Sequence, residues 1–499
     1  MAEAAAAELG GVCVRPLPFR VHDRVSGRSW VVEVACGALV ASKCPGCAEN
    51  ARKIRTAQCR EGWHLEEEPE ARGKEEQDGA GRAVKLTVSP EGRAERGLPA
   101  RAAAGASTDD QGKERVVRST RRRQDAAKLP RRRRVDGTLG RTYGDGNGRL
   151  YRPSMFLTLT LPSYGPVRDG VPVDPAAYEY GQAAADAMHF GKLVDRFVQN
   201  LRRVAGYQVQ YFGVVEPQRR LAPHLHMAFR GTLPRRELRQ IVAATYHQLW
   251  WPADGRPVME GAGHPVWSEG AGYVDPVTGE VLPTWEEARE EVDVPRHVLR
   301  FGRQMSMRGV LVGSEEASKG VWYLAKYLTK SMNEALLSRW GALSGAEQAH
   351  AARLIEAVRV EPCSPECANW LRIGVQPKSA RAGLRAGLCP RRAHRADRLG
   401  YGGRRVLVSR RWSGRRVSDY KEERRAWVLE ALGAEEEEAA AEEGRYLWEA
   451  AKEGEEGVPP LAARVWRTVR QRRAAYEAIA KRREEAGRCG GEEARDAVE

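Results

Sequence analysis

The residues of this chain best placed to do chemistry are His224 and His226, separated only by Leu225. In a strand, residues i and i+2 project to the same face, so both imidazoles can reach one metal ion. Glu216 ends the preceding apolar run, and a hairpin folds that end back beside His224. Two imidazoles and one carboxylate make an open facial site that leaves positions for substrate oxygens. Mg²⁺ or Mn²⁺ held there can polarise a phosphate as a Lewis acid.

A second chemical segment is Val321-Trp-Tyr-Leu-Ala-Lys-Tyr-Leu-Thr-Lys330. On a helix, Val321, Leu324, Ala325 and Leu328 form a buried stripe, and Tyr323, Lys326, Tyr327 and Lys330 share the opposite face. Tyrosine can attack a phosphodiester and keep the DNA end as a phosphotyrosine, with nearby lysine stabilising the developing charge. Two tyrosines one turn apart allow two successive strand transfers without release of an end. The competing reading of the same segment is an amphipathic surface helix.

Cysteines supply a third chemistry. Cys363, Cys367, Cys389 and His394 have the spacing of a closed tetrahedral zinc site, two short-range pairs tied across a loop. Cys36, Cys44 and Cys47 need a fourth ligand, for which Cys59 is the first candidate, His64 the second and Cys13 the third. The rival reading is a Cys-x-x-Cys redox pair, which the absence of a βαβ pattern weakens. Cys489 reads as a free thiol.

Elements must exist to position these groups. Residues 156–161 are β-branched and apolar and read as a strand ended by Pro162. Leu193, Phe197 and Leu201 have helical spacing within residues 181–204. Tyr207–Glu216 and His224–Arg230 read as two strands joined by a loop. Residues 235–250 and 318–335 read as helices, residues 251–300 as irregular, and Arg404–Ser409 as a strand.

Composition bounds the rest. The chain has 499 residues, net charge +15, 30% charged and 42% hydrophobic residues, and 13 Trp. That length predicts two or three domains, and the apolar share excludes full disorder. No apolar run reaches the roughly 18 residues a membrane span needs, so a cytoplasmic protein is expected. Nine Cys, an odd number thinly spread, do not suit a secreted disulfide scaffold. The arginine excess points to a polyanion, and Arg131, Arg132, Arg133 and Arg134 are the candidate phosphate contacts.

Taken together, three motifs resemble those of the HUH endonucleases, specifically rolling-circle replication initiators. They are Phe156-Leu-Thr-Leu-Thr160, Pro223-His-Leu-His226 and Tyr323-Leu-Ala-Lys-Tyr327, in that order. The blocks 193–203, 215–226 and 275–285 look like initiators of actinomycete plasmids and integrative elements. The resemblance spans roughly residues 30–64 and 150–415. It implies an α+β fold, with a central antiparallel sheet flanked by helices in a ferredoxin-like core. It implies that Glu216, His224 and His226 bind the divalent metal. Tyr323 and Tyr327 would be the nucleophiles, with Lys326 and Lys330 as auxiliary cations.

The implied reaction nicks one strand of origin DNA, single-stranded or extruded as a hairpin, in the bacterial cytoplasm. It leaves a 5′-phosphotyrosyl link and a 3′-OH primer, for which host helicase and polymerase are the expected partners. The rival readings are an HUH transposase or relaxase, and a non-catalytic zinc-bearing DNA-binding regulator. The expected organisation is a Cys-rich, zinc-binding module over 1–64 and a basic, largely disordered linker over 65–150. A catalytic domain follows over 151–340, then a Cys₃His module and strand over 341–415 and a charged helical tail over 416–499.

Overall fold

Residues 153–159, 211–217, 223–230, 305–311 and 406–408 build a five-stranded antiparallel sheet. The structure, a computed structural model, describes residues 1–63, 65–69, 106–108, 114–116, 127–144, 150–253, 258–311, 314–326, 328, 340–432 and 445–496. In chain order the principal elements begin with helix α1 (Ala2–Leu9), strands β1 (Leu17–Asp23) and β2 (Ser29–Val34), and helix α2 (Pro45–Trp63). Strand β3 (Pro153–Leu159), helix α3 (Tyr180–Ala205), and strands β4 (Tyr211–Pro217) and β5 (Pro223–Arg230) follow. Next come α4 (Arg235–Ala244), β6 (Tyr246–Leu249), β7 (His297–Arg300), β8 (Met305–Leu311) and α5 (Glu315–Lys326). The chain ends with α6 (Gly345–Val360), β9 (Val406–Val408), α7 (Val417–Leu432), β10 (Tyr446–Ala450) and α8 (Leu461–Asp496).

The main sheet has the order β8-β3-β5-β4-β9, every neighbour antiparallel. One face carries Met155, Leu157 and Leu159 of β3 with Leu225, Met227 and Phe229 of β5. Against it packs α3 through Phe190, Leu193, Phe197 and Leu201, all fully buried. Each such side chain contributes about 1.5–3 kcal/mol on burial. The helix stops at Gly206, whose left-handed backbone (φ 77°) lets its N–H close on the Arg202 carbonyl.

The alternate residues of the same strands face a second core. Phe212, Val214, Ala228 and Val310 meet Val321, Leu324, Ala325 and Leu328 there, together with Cys59 and Trp63 from α2. The stripe expected for the tyrosine-bearing helix is therefore buried. Trp63 is fully buried, donates from Nε1 to Ser154 Oγ at 2.7 Å and stacks parallel to Phe156. At the far end of this face the buried Arg230 donates to the carbonyls of Gly62 and Arg411 and to Thr138 Oγ1. Burial pulls its pKa down to about 10.

Several expectations need correction. The helix expected over 235–250 ends at Ala244, because the buried Thr245 turns extended and β6 then pairs with β7. The stretch 251–300, expected to be irregular, contains β7, a short hairpin (Val266–Ser268 with Gly272–Val274) and a helix, Trp285–Glu290, closed by a capping box at Thr284. Part of the expected linker is packed: Glu68 accepts from the backbone N–H groups of Thr138 and Leu139, both buried. The expected tail supplies β10 to a small sheet of order β10-β1-β2. Its helix α8 buries Val465 and Val469 against α1.

Gly320 lies in α5 where an added Cβ would stand 2.6 Å from the Trp63 ring. Alanine there gains about 1 kcal/mol of helix propensity. Overpacking against an immobile ring costs about 1–3 kcal/mol. Gly320→Ala is therefore expected to lower the urea midpoint, whereas an unchanged or raised midpoint would mean that Trp63 yields.

Candidate active site and metal centres

Register in the β4–β5 hairpin decides what meets what. Glu216 pairs directly with His224, Val214 with His226. Opposed residues of an antiparallel pair share a face, so the carboxylate and both imidazoles emerge together on the second-core side. Strand β5 is buried along its whole length, which removes water from the cluster's flanks. The turn between the strands is tied down by Arg220, whose Nη2 donates to the Leu161 carbonyl at 2.8 Å. Leu221 adopts a left-handed backbone (φ 67°) within that turn.

The ligand atoms converge. His226 Nε2 lies 2.6 Å and His224 Nε2 3.1 Å from the same Glu216 oxygen, and the two Nε2 atoms are 2.8 Å apart. All three residues are buried. Burial tends to raise the Glu216 pKa, but hydrogen bonds from His224 and His226 outweigh it and hold the carboxylate ionised. Burial lowers the pKa of His226, which favours the neutral, ligand-competent ring. Two imidazole lone pairs and one carboxylate oxygen at these separations suit a divalent cation, which would satisfy all three at once.

Thr158, paired across the sheet with His226, places Oγ1 2.9 Å from His226 Nδ1. In the tautomer with Nδ1 protonated, the hydroxyl accepts and the Nε2 lone pair faces Glu216 and His224, where a cation would be held. Reading types and spacing alone did not single out Thr158 as a site residue, though it stands inside the Leu-Thr-Leu-Thr run. The signal was the strand pairing, which a single sequence does not display.

Tyr323 of α5 reaches this cluster. Its hydroxyl lies 3.3 Å from His226 Nε2, and its ring packs edge-on to both His226 and Phe156. The face of α5 opposite its buried stripe thus brings Tyr323 onto the sheet, which the competing reading of a mere surface helix does not require. Lys326, at the end of α5, is exposed. Tyr327 and Lys330 lie outside the described residues. Arg131, Arg132, Arg133 and Arg134 are exposed and far in the fold from this face, docked along α3.

Two further clusters are separate from the first. Cys363, Cys367, Cys389 and His394 bring their ligand atoms within 4.8 Å of one another. The Val358 carbonyl accepts from His394 Nδ1 at 2.8 Å, which turns Nε2 toward Cys367. The N-terminal cluster is Cys13, Cys36, Cys44 and Cys47, so Cys13 stands where Cys59 was expected first. Sulfurs 2.3 Å from one zinc sit about 3.8 Å apart on a tetrahedron. Cys36–Cys47 and Cys13–Cys44 are 3.7 and 3.8 Å apart. Hydrogen bonding from Cys47 brings the Cys13 thiol down to about 5. Both clusters can hold zinc.

Cys59 fails for a geometric reason. It follows Cys47 by twelve residues on one helix, which separates them by about 18 Å along the axis. It lies instead in the second core beside Trp63. The β1–β2 register, with Leu17 opposite Val34, brings the residues flanking the hairpin together and so sets Cys13 beside Cys36. His64 lies outside the described residues. Among the described residues no helix is long and apolar enough to cross a membrane.

Fold and site together define a mixed α+β protein. It sets a two-histidine, one-carboxylate cluster beside a tyrosine on one face of an antiparallel sheet, and two cysteine clusters stand apart. The chain belongs to the RepSA family, described as replication initiator protein, pSAM2, whose profile matches residues 2–475. A Streptomyces ambofaciens protein named replication initiator protein is 28% identical over 264 residues, covering 44% of this chain and 52% of that relative. The chain therefore matches about half the length of that relative. No solved structure matches the chain significantly.

Metal analysis of the purified protein is expected to find two zinc ions. Cys13→Ser should lose one of them and Cys59→Ala neither; the opposite result would overturn the cluster. Separately, Thr158→Val is expected to lower Mn²⁺ affinity by about 10- to 100-fold in calorimetric titration, with zinc content unchanged.

Proposed function

We propose that this protein is a replication initiator that nicks one strand of origin DNA through Tyr323, in the manner of HUH endonucleases, to start rolling-circle replication. The observation that carries this is the Tyr323 hydroxyl 3.3 Å from His226 Nε2, at the apex of the Glu216–His224–His226 cluster. Family membership supports the initiator role, and the relative's name agrees with it.

Glu216, His224 and His226 would hold Mg²⁺ or Mn²⁺, which when bound supplies Lewis-acid polarisation of a phosphate oxygen. The remaining work falls to the chain. Burial and strand pairing hold the two rings and the carboxylate in place before any strand arrives. Packing of α5 on the second core holds the Tyr323 phenol at the edge of that cluster. The phenol oxygen forms a bond to the scissile phosphorus as the bond to the 3′ oxygen breaks. The phenolic proton leaves, the departing 3′ oxygen takes one up as a 3′-OH, and the 5′ phosphate stays on tyrosine. Lys326, one turn along, offers positive charge near the end of the helix. The free 3′-OH calls for a polymerase, and the displaced strand for a helicase. Tyr327, if it shares the site, would take a second transfer.

The test is a covalent adduct. Protein incubated with single-stranded origin-region DNA and Mg²⁺ or Mn²⁺ should yield a species that survives denaturing electrophoresis. Tyr323→Phe combined with Tyr327→Phe should form none, and the single variants assign the order of cutting. His224→Ala should abolish the adduct while both zinc ions remain. Folded wild-type protein that forms no adduct with either metal would leave the regulator reading in its place.

A further inference from the structure

The outer face of α3, turned away from the sheet, carries Lys192, Arg196, Gln199, Asn200 and Arg203 at helical spacing. Residues 127–135 run alongside it and are pinned there. Leu129 packs on the main core, and the Val135 N–H donates to the Gly206 carbonyl at 2.8 Å. Arg132 donates to the Val204 carbonyl at 3.1 Å and to Glu237 Oε1 at 2.8 Å. The C-terminal carbonyls of α3 have no partners within the helix and favour such a cation. The arginine run is thus docked beside the end of α3.

A cleft of about 670 Å³ opens between the two, with Lys128 and Arg131 on one wall and Arg196 and Arg203 on the other. Tyr246 and Trp250 also line it. It continues around Arg131 and Arg203 into a second cleft of about 580 Å³, which Arg134 and Arg202 also line. Among the described residues no carboxylate lines either cleft. Ordinary surfaces intersperse the two signs, so a groove of one sign is a field built for an anion. His247, within the first cleft, senses that field: burial first, then Arg196 and Lys192, push its pKa down to about 4.

Cations spaced along a groove suit successive phosphates, and aromatic rings among them suit unstacked bases. We propose that this groove holds single-stranded DNA, on the opposite side of the five-stranded sheet from the Glu216–His224–His226 cluster. The identity of the strand as DNA rests on the initiator reading; the groove's charge and shape do not. A flanking stretch held here keeps the protein on its strand while the tyrosine face is engaged, because the sheet and α3 separate the two surfaces.

Binding is read by fluorescence anisotropy with the full chain. The probe is a labelled mixed-sequence oligonucleotide of about 20 nucleotides, used without added Mg²⁺ or Mn²⁺ so that cleavage is off. Arg196→Glu with Arg203→Glu is expected to weaken single-strand binding at least about tenfold and to flatten the log–log salt slope by about 1.4, two contacts at 0.7 each. Lys421→Glu with Arg425→Glu, on the exposed face of α7, makes the same change in net charge and should alter affinity less than about twofold. Trp250→Ala, checked for an unchanged melting temperature, should weaken the single strand about tenfold and a duplex of equal length little.

Equal losses from the two charge-reversal pairs would overturn the proposal as a global charge effect. So would single-strand binding indifferent to Arg196 and Arg203. Charge reversal that weakens only duplex, with Trp250→Ala silent, would make the groove a duplex-backbone site instead. Adduct formation is a separate readout. An adduct with groove-independent binding sinks this proposal alone, and groove-dependent binding without an adduct sinks only the nicking reaction.

Discussion

The antiparallel pairing of Tyr211–Pro217 with Pro223–Arg230 is the constraint on which the rest depends. Its register opposes Glu216 to His224. A slip of the second strand by one residue would turn both imidazoles to the face now packed against α3 and part them from the Glu216 carboxylate. That slip is prevented from both sides, because the strand is buried throughout and each face is committed to a different core. A central strand of this kind must satisfy two cores at once. On that strand His224 and His226 turn toward Glu216 at hydrogen-bond distance, with the rings of Phe156 and Tyr323 against His226.

The N-terminal cysteine cluster and the histidine cluster are joined by α2. The helix begins at Pro45, between Cys44 and Cys47, and ends at Trp63 in the second core. From Trp63 the contact runs through the parallel ring of Phe156 to His226 and Tyr323. Zinc at one end would therefore stiffen a strut whose other end forms the wall behind the tyrosine. Chain ends that looked like separate modules are part of the same arrangement. Strand β10, near the C-terminus, completes the sheet of β1 and β2, and α8 covers α1.

Local signals were legible where chemistry and periodicity coincide. His224, His226 and the carboxylate at the end of the preceding strand could be read from period-two spacing and a hairpin. The buried stripe Val321, Leu324, Ala325 and Leu328 followed from period 3.6. The Cys363–His394 set followed from ligand spacing. The residues that escaped notice are those whose role exists only across the sheet or across a long separation in the chain. Thr158 reaches His226 through strand pairing, and Cys13 joins Cys36 only because a hairpin lies between them. Residues 246–249 carry helix-compatible side chains, and they became a strand only because residues 297–300 were available to pair.

By itself the sequence determined which groups can bind metal, attack phosphorus or hold an anion, since side-chain chemistry is carried by residue type and survives any fold. It also determined the local elements of strong periodicity, such as α3 and the apolar stripe of α5, because helical spacing is a property of neighbours. Only the tertiary structure decided which of those groups meet. It chose Cys13 over Cys59, since a rigid helix keeps Cys47 and Cys59 apart while a hairpin closes the other distance. It turned Tyr323 onto the histidines, since α5 can bury its apolar stripe only by laying that tyrosine at the cluster's edge. It laid the arginine run along α3, where free carbonyls at the helix end attract cations. Each of these is a distance between parts of the chain far apart in sequence, and such distances are set by packing.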